Sequence, residues 1–456
     1  AQGDHFFLSE VLSRLLTMAR HRELRPKPLF DEPALRAFMF NHGVKDVHMG
    51  KIWKHMLANP TCPLDEIPMI PEKIRKPLSE EFAFCTSTLA QSVQSEIDGT
   101  IKLLVRLQDG GEVEAVLIHH SGEAIDQDAR QQERCGQRDT LCISSQVGCR
   151  LGCTFCATGT MGLQGNLSPG EIVEQLMHAR RLRPVSNVVF MGMGEPLENF
   201  EGVSRAIQAM VDPTIFGMAP GSITVSTVGI LHNMRRLMRE LPKVKLAVSL
   251  HAPTQELREQ IVPIAKTFKM DKLMEVIDEY AAKNQNVGKK KGKIMVSYVL
   301  LQGVNDSLEC AKQLRDLVVD RPVLVNIIPY NPFDGNVHEY MTPSAEQTDA
   351  FLKVLLDAGI QVFERRHHGR DISAACGQLA KLGKTAPAAD IENCTGLSAK
   401  DIMRPSDGIV AAAGPKARQA LTEGAAEWRR RRAALTAFIS VAVAATVLIQ
   451  MRKRRC

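Results

Sequence analysis

Three cysteines, Cys149, Cys153 and Cys156, stand in the spacing C-x3-C-x2-C within residues 141–156 (LCISSQVGCRLGCTFC), and Phe155 immediately precedes the third. Three thiolates held this closely can ligate three irons of a four-iron cluster and leave the fourth iron open to a substrate. A closed cluster wants a fourth cysteine. The competing reading is structural zinc. Zinc takes four ligands, usually two cysteine pairs or cysteines with histidines, and no fourth Cys or His follows at such a spacing. On spacing the cluster is the better reading.

Such thiols need elements to hold them. From residue 141 onward, strand-like apolar runs at 141–146, 187–191, 223–226, 244–250, 294–300 and 323–328, with another near 361–365, alternate with helical patterns. Ser168-Pro169-Gly170-Glu171 reads as a capping box that opens a helix reaching about Arg181. Six or seven βα units predict an α/β fold with a parallel sheet or barrel, in which chemistry gathers at the carboxyl ends of the strands. The sequence meets that expectation. The cysteines follow the first strand, and 192–196 (GMGEP) follows the second. Ser226-Thr227 closes the third, 249–253 (SLHAP) the fourth, and 302–305 (QGVN) and 329–333 (PYNPF) follow the fifth and sixth. Any one of these is an ordinary turn; six at one rim argue for a single composite site.

Upstream, the runs 101–107 and 113–118, joined by Asp109-Gly110-Gly111, predict a hairpin. Residues 1–95 read as mainly helical, with apolar helical spacing at 5–20 and 31–42. The organisation expected is therefore a helical accessory domain at 1–95, a β-hairpin connector at 96–125, the catalytic barrel at 126–384, a linker at 385–428 and a tail at 429–456.

The 456 residues, 44% hydrophobic and 24% charged, suit a globular body of two or three domains. Eleven scattered cysteines, an odd number, argue against a disulfide framework and for a reducing compartment. The net charge of +6 does not by itself indicate nucleic acid. Residues 385–456 hold twelve Lys/Arg and six Asp/Glu, which leaves 45 of each sign in residues 1–384. An RNA footprint must come from local patches: 20–27, Lys45, Lys51 and Lys54, the lysines at 289–293, or Arg365 to Arg370. Each also reads as a solvated face, and 5% aromatic residues make a base-stacking platform of the RRM kind a poor expectation.

The cysteine pattern, with its preceding aromatic, resembles the signature of the radical S-adenosylmethionine (SAM) superfamily. The residues around it resemble the RlmN/Cfr family of RNA adenosine methyltransferases, most of all its dual-specificity branch, from about residue 101 to about residue 382. The resemblance implies a partial (β/α)6 barrel, a [4Fe-4S] cluster on Cys149, Cys153 and Cys156, and two SAM molecules per turnover. Gly194 and Glu195 match the segment that holds the amino group of SAM. Ser226, Ser249, His251 and Asn331 match positions that reach its carboxylate, ribose and adenine. Taken alone, His251 is more often a structural histidine and Asn331 a turn residue.

In the same resemblance, Cys376 (within 371–377, DISAACG) matches the thiol that becomes methylated, Cys142 the one that resolves the intermediate, and Glu114 the carboxylate that takes the proton from the adenine carbon. Without it, each cysteine reads as a small buried hydrophobe and Glu114 as a solvent-facing strand residue. An aromatic C–H carbon is too weakly acidic and nucleophilic for ordinary methyl transfer from a sulfonium, and a radical route avoids that barrier. The implied reaction methylates Cys376 from one SAM and uses a second SAM to make a radical on the S-methyl group. That carbon adds to adenine C2, and a transient Cys142–Cys376 disulfide frees the product. C8 methylation by the same cysteines is the competing reading within the family. A non-catalytic zinc- or RNA-binding protein is the competing reading outside it.

The implied partners are 23S-type ribosomal RNA, transfer RNA at adenosine 37, and an electron donor such as flavodoxin or ferredoxin, with the chain monomeric. The nucleotide must be unpaired or flipped out to reach a rim site. The tail departs from the family pattern. Residues 433–451 are nineteen residues without charge, bounded by Arg429–Arg432 and by Arg452-Lys453-Arg454-Arg455, and a bilayer-spanning helix takes ~20. A C-terminal membrane anchor is expected there, with the enzyme cytoplasmic or in a chloroplast or mitochondrion.

Overall fold

A computed structural model describes residues 22–120, 138–284, 293–365 and 368–379. The expected helix at 5–20, the lysines at 289–291, Arg366 and His367, and the linker and tail from 380 lie outside the described residues. Among the described residues no helix is long and apolar enough to cross a membrane.

The chain begins with β1 (Lys27–Pro28), then α1 (Glu32–Asn41), α2 (Val47–Ala58), α3 (Glu72–Glu81) and β2 (Phe82–Ala83), which pairs with β1. Asp31 starts α1 by accepting the N–H of Ala34 at 3.1 Å, as an N-cap carboxylate does. Trp53 of α2 donates its indole N–H to Leu29 O at 2.8 Å, and Phe30 packs on the Trp53 ring. Lys45, Lys51 and Lys54 are all exposed.

Next come β3 (Thr88–Gln94), β4 (Ile101–Arg106), β5 (Glu112–His120) and β6 (Arg138–Cys142), then the short pair β7 (Gln146–Cys149) and β8 (Gly162–Asn166) with α4 (Ala157–Thr160) between them. The remainder alternates: α5 (Pro169–Leu182), β9 (Asn187–Phe190), α6 (Phe200–Val211), β10 (Ile223–Thr227), α7 (Leu231–Glu240), β11 (Lys245–Ser249), α8 (Gln255–Ile261), α9 (Met270–Asn284), β12 (Ile294–Leu300), α10 (Leu308–Val318), β13 (Val323–Pro329), α11 (Ala345–Asp357) and β14 (Val362–Glu364).

Ten strands form one sheet in the order β14-β13-β12-β11-β10-β9-β6-β5-β4-β3. Every pair from β6 through β14 is parallel, and β3 to β6 are antiparallel. This α/β sheet with helical crossovers is the expected partial barrel. The predicted hairpin is present, but it extends the barrel sheet directly through β5–β6 pairing, and β3 adds a further strand before it. The run predicted as one strand over 141–146 divides in two. The main sheet keeps β6, while 146–149 turns away to pair with β8 and so carries the cysteine loop over the strand ends.

Side-chain caps fix where the helices begin. Ser168 and Glu171 form the expected capping box at α5, and Thr254, Ser307 and Ser344 cap α8, α10 and α11. The β12 strand is buried on both faces, with Val296, Tyr298 and Leu300 on one and Ser297 and Val299 on the other, and Val325 and Ile327 of β13 are fully enclosed. That accounts for their nearly unbroken apolar runs.

Candidate active site

One open cavity of about 980 Å³, counting the space at its mouth, lies over the carboxyl ends of the parallel strands. Cys149, Cys153 and Cys156 line it, as do Gly192, Gly194, Glu195, Ser226, Ser249, His251 and Cys376. Of the sequence-predicted residues, Cys142, Glu114 and Asn331 are not on its wall.

The cysteine loop is held by backbone contacts. Cys156 N–H donates to Cys153 O (3.1 Å), Gly159 N–H to Cys156 O (3.0 Å), and Thr154 N–H reaches across to Ile261 O of α8 (3.1 Å). Burial pushes the Cys149 thiol up to about 12 and raises Cys153 and Cys156 as well, against hydrogen bonds that favour the thiolate at Cys149 and Cys156. Buried thiols of this kind ionise when a metal supplies the opposing charge. The three thiols line one cavity, so they would hold three irons of a four-iron cluster and leave room beside it for a ligand.

The glycines of 192–196 have a steric cause. A Cβ on Gly192 would sit 2.7 Å from Ile143 C, and one on Gly194, at φ +96°, would sit 2.6 Å from Gln146 Cβ. Only glycine lets this turn press against the segment leading to the cysteines. Glu195 follows, 3% exposed. Its carboxylate accepts the N–H groups of Leu197 and Val228, each at 3.0 Å. Burial nevertheless raises Glu195 to about 7 against these stabilising bonds. It is a carboxylate placed to receive an ammonium, which would restore the charge balance that burial removes.

His251 has one tautomer. Its Nδ1 accepts the N–H of Val299 at 3.0 Å, so the proton sits on Nε2. Burial, with Arg258 adding to it, lowers His251 to about 3. The ring is therefore a neutral donor at physiological pH, packed edge-on against Phe155 at 4.7 Å. The Ser226 and Ser249 hydroxyls lie 3.4 Å apart, on adjacent strand ends.

The loop bearing Cys376 is tied from three directions. Ala157 N–H and the Thr158 hydroxyl, just past the last cluster cysteine, donate to Gly377 O (2.8 Å) and Leu379 O (2.5 Å). Asn331 spends its amide here, donating to Cys376 O (3.2 Å) and accepting from Arg370 Nε (3.2 Å). It thus positions the loop in this structure. From the antiparallel side, Ser95, just past β3, donates to Asp371 (2.8 Å), and Lys102 Nζ of β4 donates to Ser373 O (3.1 Å).

Lys102 is a residue that sequence reasoning missed. In the β4–β5 register it faces Val116, and Glu114 faces Leu104. Alternation therefore puts Lys102 and Glu114 on one face as diagonal neighbours. Their side chains pair at 3.0 Å, each 1% exposed. Glu114, expected on solvent-facing grounds unless the resemblance held, is fully buried. A lysine at an inward position of an otherwise apolar strand (IKLLVR) was the available signal.

Cys142 ends β6 opposite Val116, on the same face as that pair. It is a free thiol, as is Cys376. Burial pushes it up to about 12, with the nearby Cys376 reinforcing this and Arg365 opposing it. Arg365 and Cys376 also border a second, smaller cavity with Asn331 and His368, so Cys376 stands between two spaces.

Comparison with known proteins agrees with this geometry. The radical SAM superfamily model matches residues 143–318. The dual-specificity RNA methyltransferase RlmN of Pelobacter propionicus is 40% identical over 347 residues, which cover 76% of this chain and 93% of that protein. The corresponding protein of Geobacter sulfurreducens is 39% identical, covering 78% and 92%. The crystal structure of a radical SAM methyltransferase from Sphaerobacter thermophilus superposes with a TM-score of 0.66 at 35% identity, over 78% of this chain and 99% of that one. At this identity and coverage, the chain belongs to the RlmN family of radical SAM methyltransferases.

Proposed function

We propose that this protein methylates C2 of adenosine in RNA, in 23S-type ribosomal RNA and at position 37 of transfer RNA, by way of a methylated Cys376. The observation supporting this most is that Cys376 lines the same cavity as Cys149, Cys153, Cys156 and Glu195. A thiol on that wall would face a SAM molecule bound in the cavity.

When bound, the [4Fe-4S] cluster and SAM supply the methyl group and the one-electron chemistry. The chain's own residues do the rest. Glu195 takes the amino group of SAM, and Ser226, Ser249 and the Nε2–H of His251 offer hydrogen bonds to its polar atoms. Cys376 accepts the methyl group by displacement, losing its proton. Glu114 takes the proton from the adenine carbon, and its pairing with Lys102 favours the carboxylate form that the role requires. Cys142 closes the sequence: its sulfur bonds to the Cys376 sulfur as the carbon leaves with the RNA. Arg365 and Arg370 beside the loop suit the phosphates of a flipped-out nucleotide, as do the exposed lysines of α2 in the accessory domain at 1–95. The protein acts as a monomer with a flavodoxin- or ferredoxin-type donor, in the cytoplasm or an organelle, anchored through 433–451.

Anaerobic assay with labelled SAM on ribosomal and transfer RNA tests this, with mass spectrometry of the adenosine product. 2-Methyladenosine is expected, and 8-methyladenosine alone would contradict the C2 assignment. The Glu195 carboxylate gives a second expectation. It is ionised above about 7 and gains a proton as pH falls through that value, so SAM affinity should weaken below pH 7 and level off above it. Calorimetric titration across pH 5.5–8.5 checks the sign, and Glu195→Gln should remove the dependence.

A further inference from the structure

Arg258, on α8, is wholly buried and heads the fully enclosed side chains by size. Its Nε donates to Leu250 O (3.0 Å), and its Nη2 to Val228 O (2.6 Å) and Ser249 O (3.2 Å). Among the described residues it forms no ion pair, and Nη1 has no hydrogen-bond partner. A buried charge without a counter-charge is costly, so an anion is expected beside it.

The surroundings identify where that anion belongs. Ile261, the last residue of Arg258's own helix, accepts the N–H of Thr154 in the cysteine loop. Ile261 and Val262 form part of an apolar cluster against which Cys149, Cys153 and Phe155 pack. The guanidinium stays protonated at neutral pH, since burial lowers it only to about 10.

We propose that Arg258 is the fixed counter-charge of the cluster held by Cys149, Cys153 and Cys156, easing its one-electron reduction while clasping the ends of β10 and β11. This rests on the cluster reading of those cysteines. A thiolate-bound cluster is anionic, and an electron from a low-potential donor adds a further negative charge in a site shielded from water. A fixed cation nearby offsets that cost, because net charge and burial are what set the potential. Neutral carbonyls suit this role better than a carboxylate, which would cancel the charge.

The test uses full-length protein reconstituted anaerobically, as wild type, Arg258→Gln, Arg258→Met and Arg258→Lys. Iron content and an EPR-followed redox titration without RNA are the readouts. The Gln and Met variants should shift the one-electron equilibrium at least tenfold toward the oxidised cluster, about 59 mV, while Lys stays within tenfold of wild type. An unchanged midpoint in Arg258→Gln with full iron overturns the proposal. So does a Lys shift as large as the Gln shift, which would leave Arg258 a backbone clamp. If the neutral variants fold by circular dichroism but hold no iron, loss confined to Gln and Met supports the counter-charge, and loss in all three overturns it. If they do not fold, the Lys midpoint alone decides by the same tenfold criterion. Wild-type protein that takes up no iron would instead sink the cluster reading.

Discussion

RNA incubated anaerobically with SAM, reductant and the Cys142→Ala protein is expected to remain covalently joined to the chain through Cys376. Once the Cys376-borne carbon has bonded to adenine, the sulfur–carbon bond breaks only when another sulfur attacks Cys376. In the proposed reaction Cys142 is that sulfur, buried at the end of β6 and close enough for the Cys376 charge to act on it. Its burial makes it a poor free nucleophile, since the thiolate attacks and the thiol does not. That keeps it from competing for methyl groups before its turn. Turnover should stop after one event per chain, with a protein–RNA band on denaturing gels that Cys376→Ala protein does not form. Free methylated RNA released from Cys142→Ala at the wild-type rate would place the resolving sulfur elsewhere.

The Lys102→Met substitution should cost the fold about 3–5 kcal/mol, because it removes the lysine counter-charge from the Glu114 carboxylate in a site where both side chains are 1% exposed. The loss of the Ser373 contact should also loosen the Cys376 loop, so methyl loading from SAM slows. Urea unfolding of the apo-protein gives the first effect, and the rate of methyl incorporation the second. Adding Glu114→Leu to Lys102→Met should recover most of the stability, since replacing both members of a buried pair is often close to neutral, yet restore no RNA methylation. Glu114→Gln alone should keep methyl loading and lose RNA turnover. A Lys102→Met protein as stable as wild type would mean that the pair is not closed in solution.

Much of this was legible in the sequence because it is local. Strand runs such as 294–300 and 323–328 announce themselves by apolar composition, the capping box by four consecutive residues, and the cysteine loop by spacing. The rim residues Glu195, Ser226, Ser249 and His251 could be placed because each ends or follows a recognisable strand, and parallel strands deliver their ends to one side. What was hidden depends on register and long-range contact. The burial of Glu114 follows from Lys102 on the neighbouring strand, and that pairing needs the β4–β5 register. Arg258 sits in QELREQI, a run that reads as a solvated helix until the structure lays it under the cysteine loop. Asn331 gave no sign that its amide would hold the Cys376 backbone. β3 (TLAQSVQ) alternates too weakly to mark itself as a strand, and its half-buried residues explain why.

In the proposed reaction Cys376 carries the methyl group. The direct measurement is peptide mass spectrometry of wild-type protein incubated anaerobically with methyl-deuterated SAM in the absence of RNA. The labelled methyl group should appear on the Cys376 peptide, with Cys142 and the cluster cysteines unlabelled, and transfer to adenosine when RNA is added. Label on another residue, or label reaching RNA while Cys376 stays bare, would contradict it.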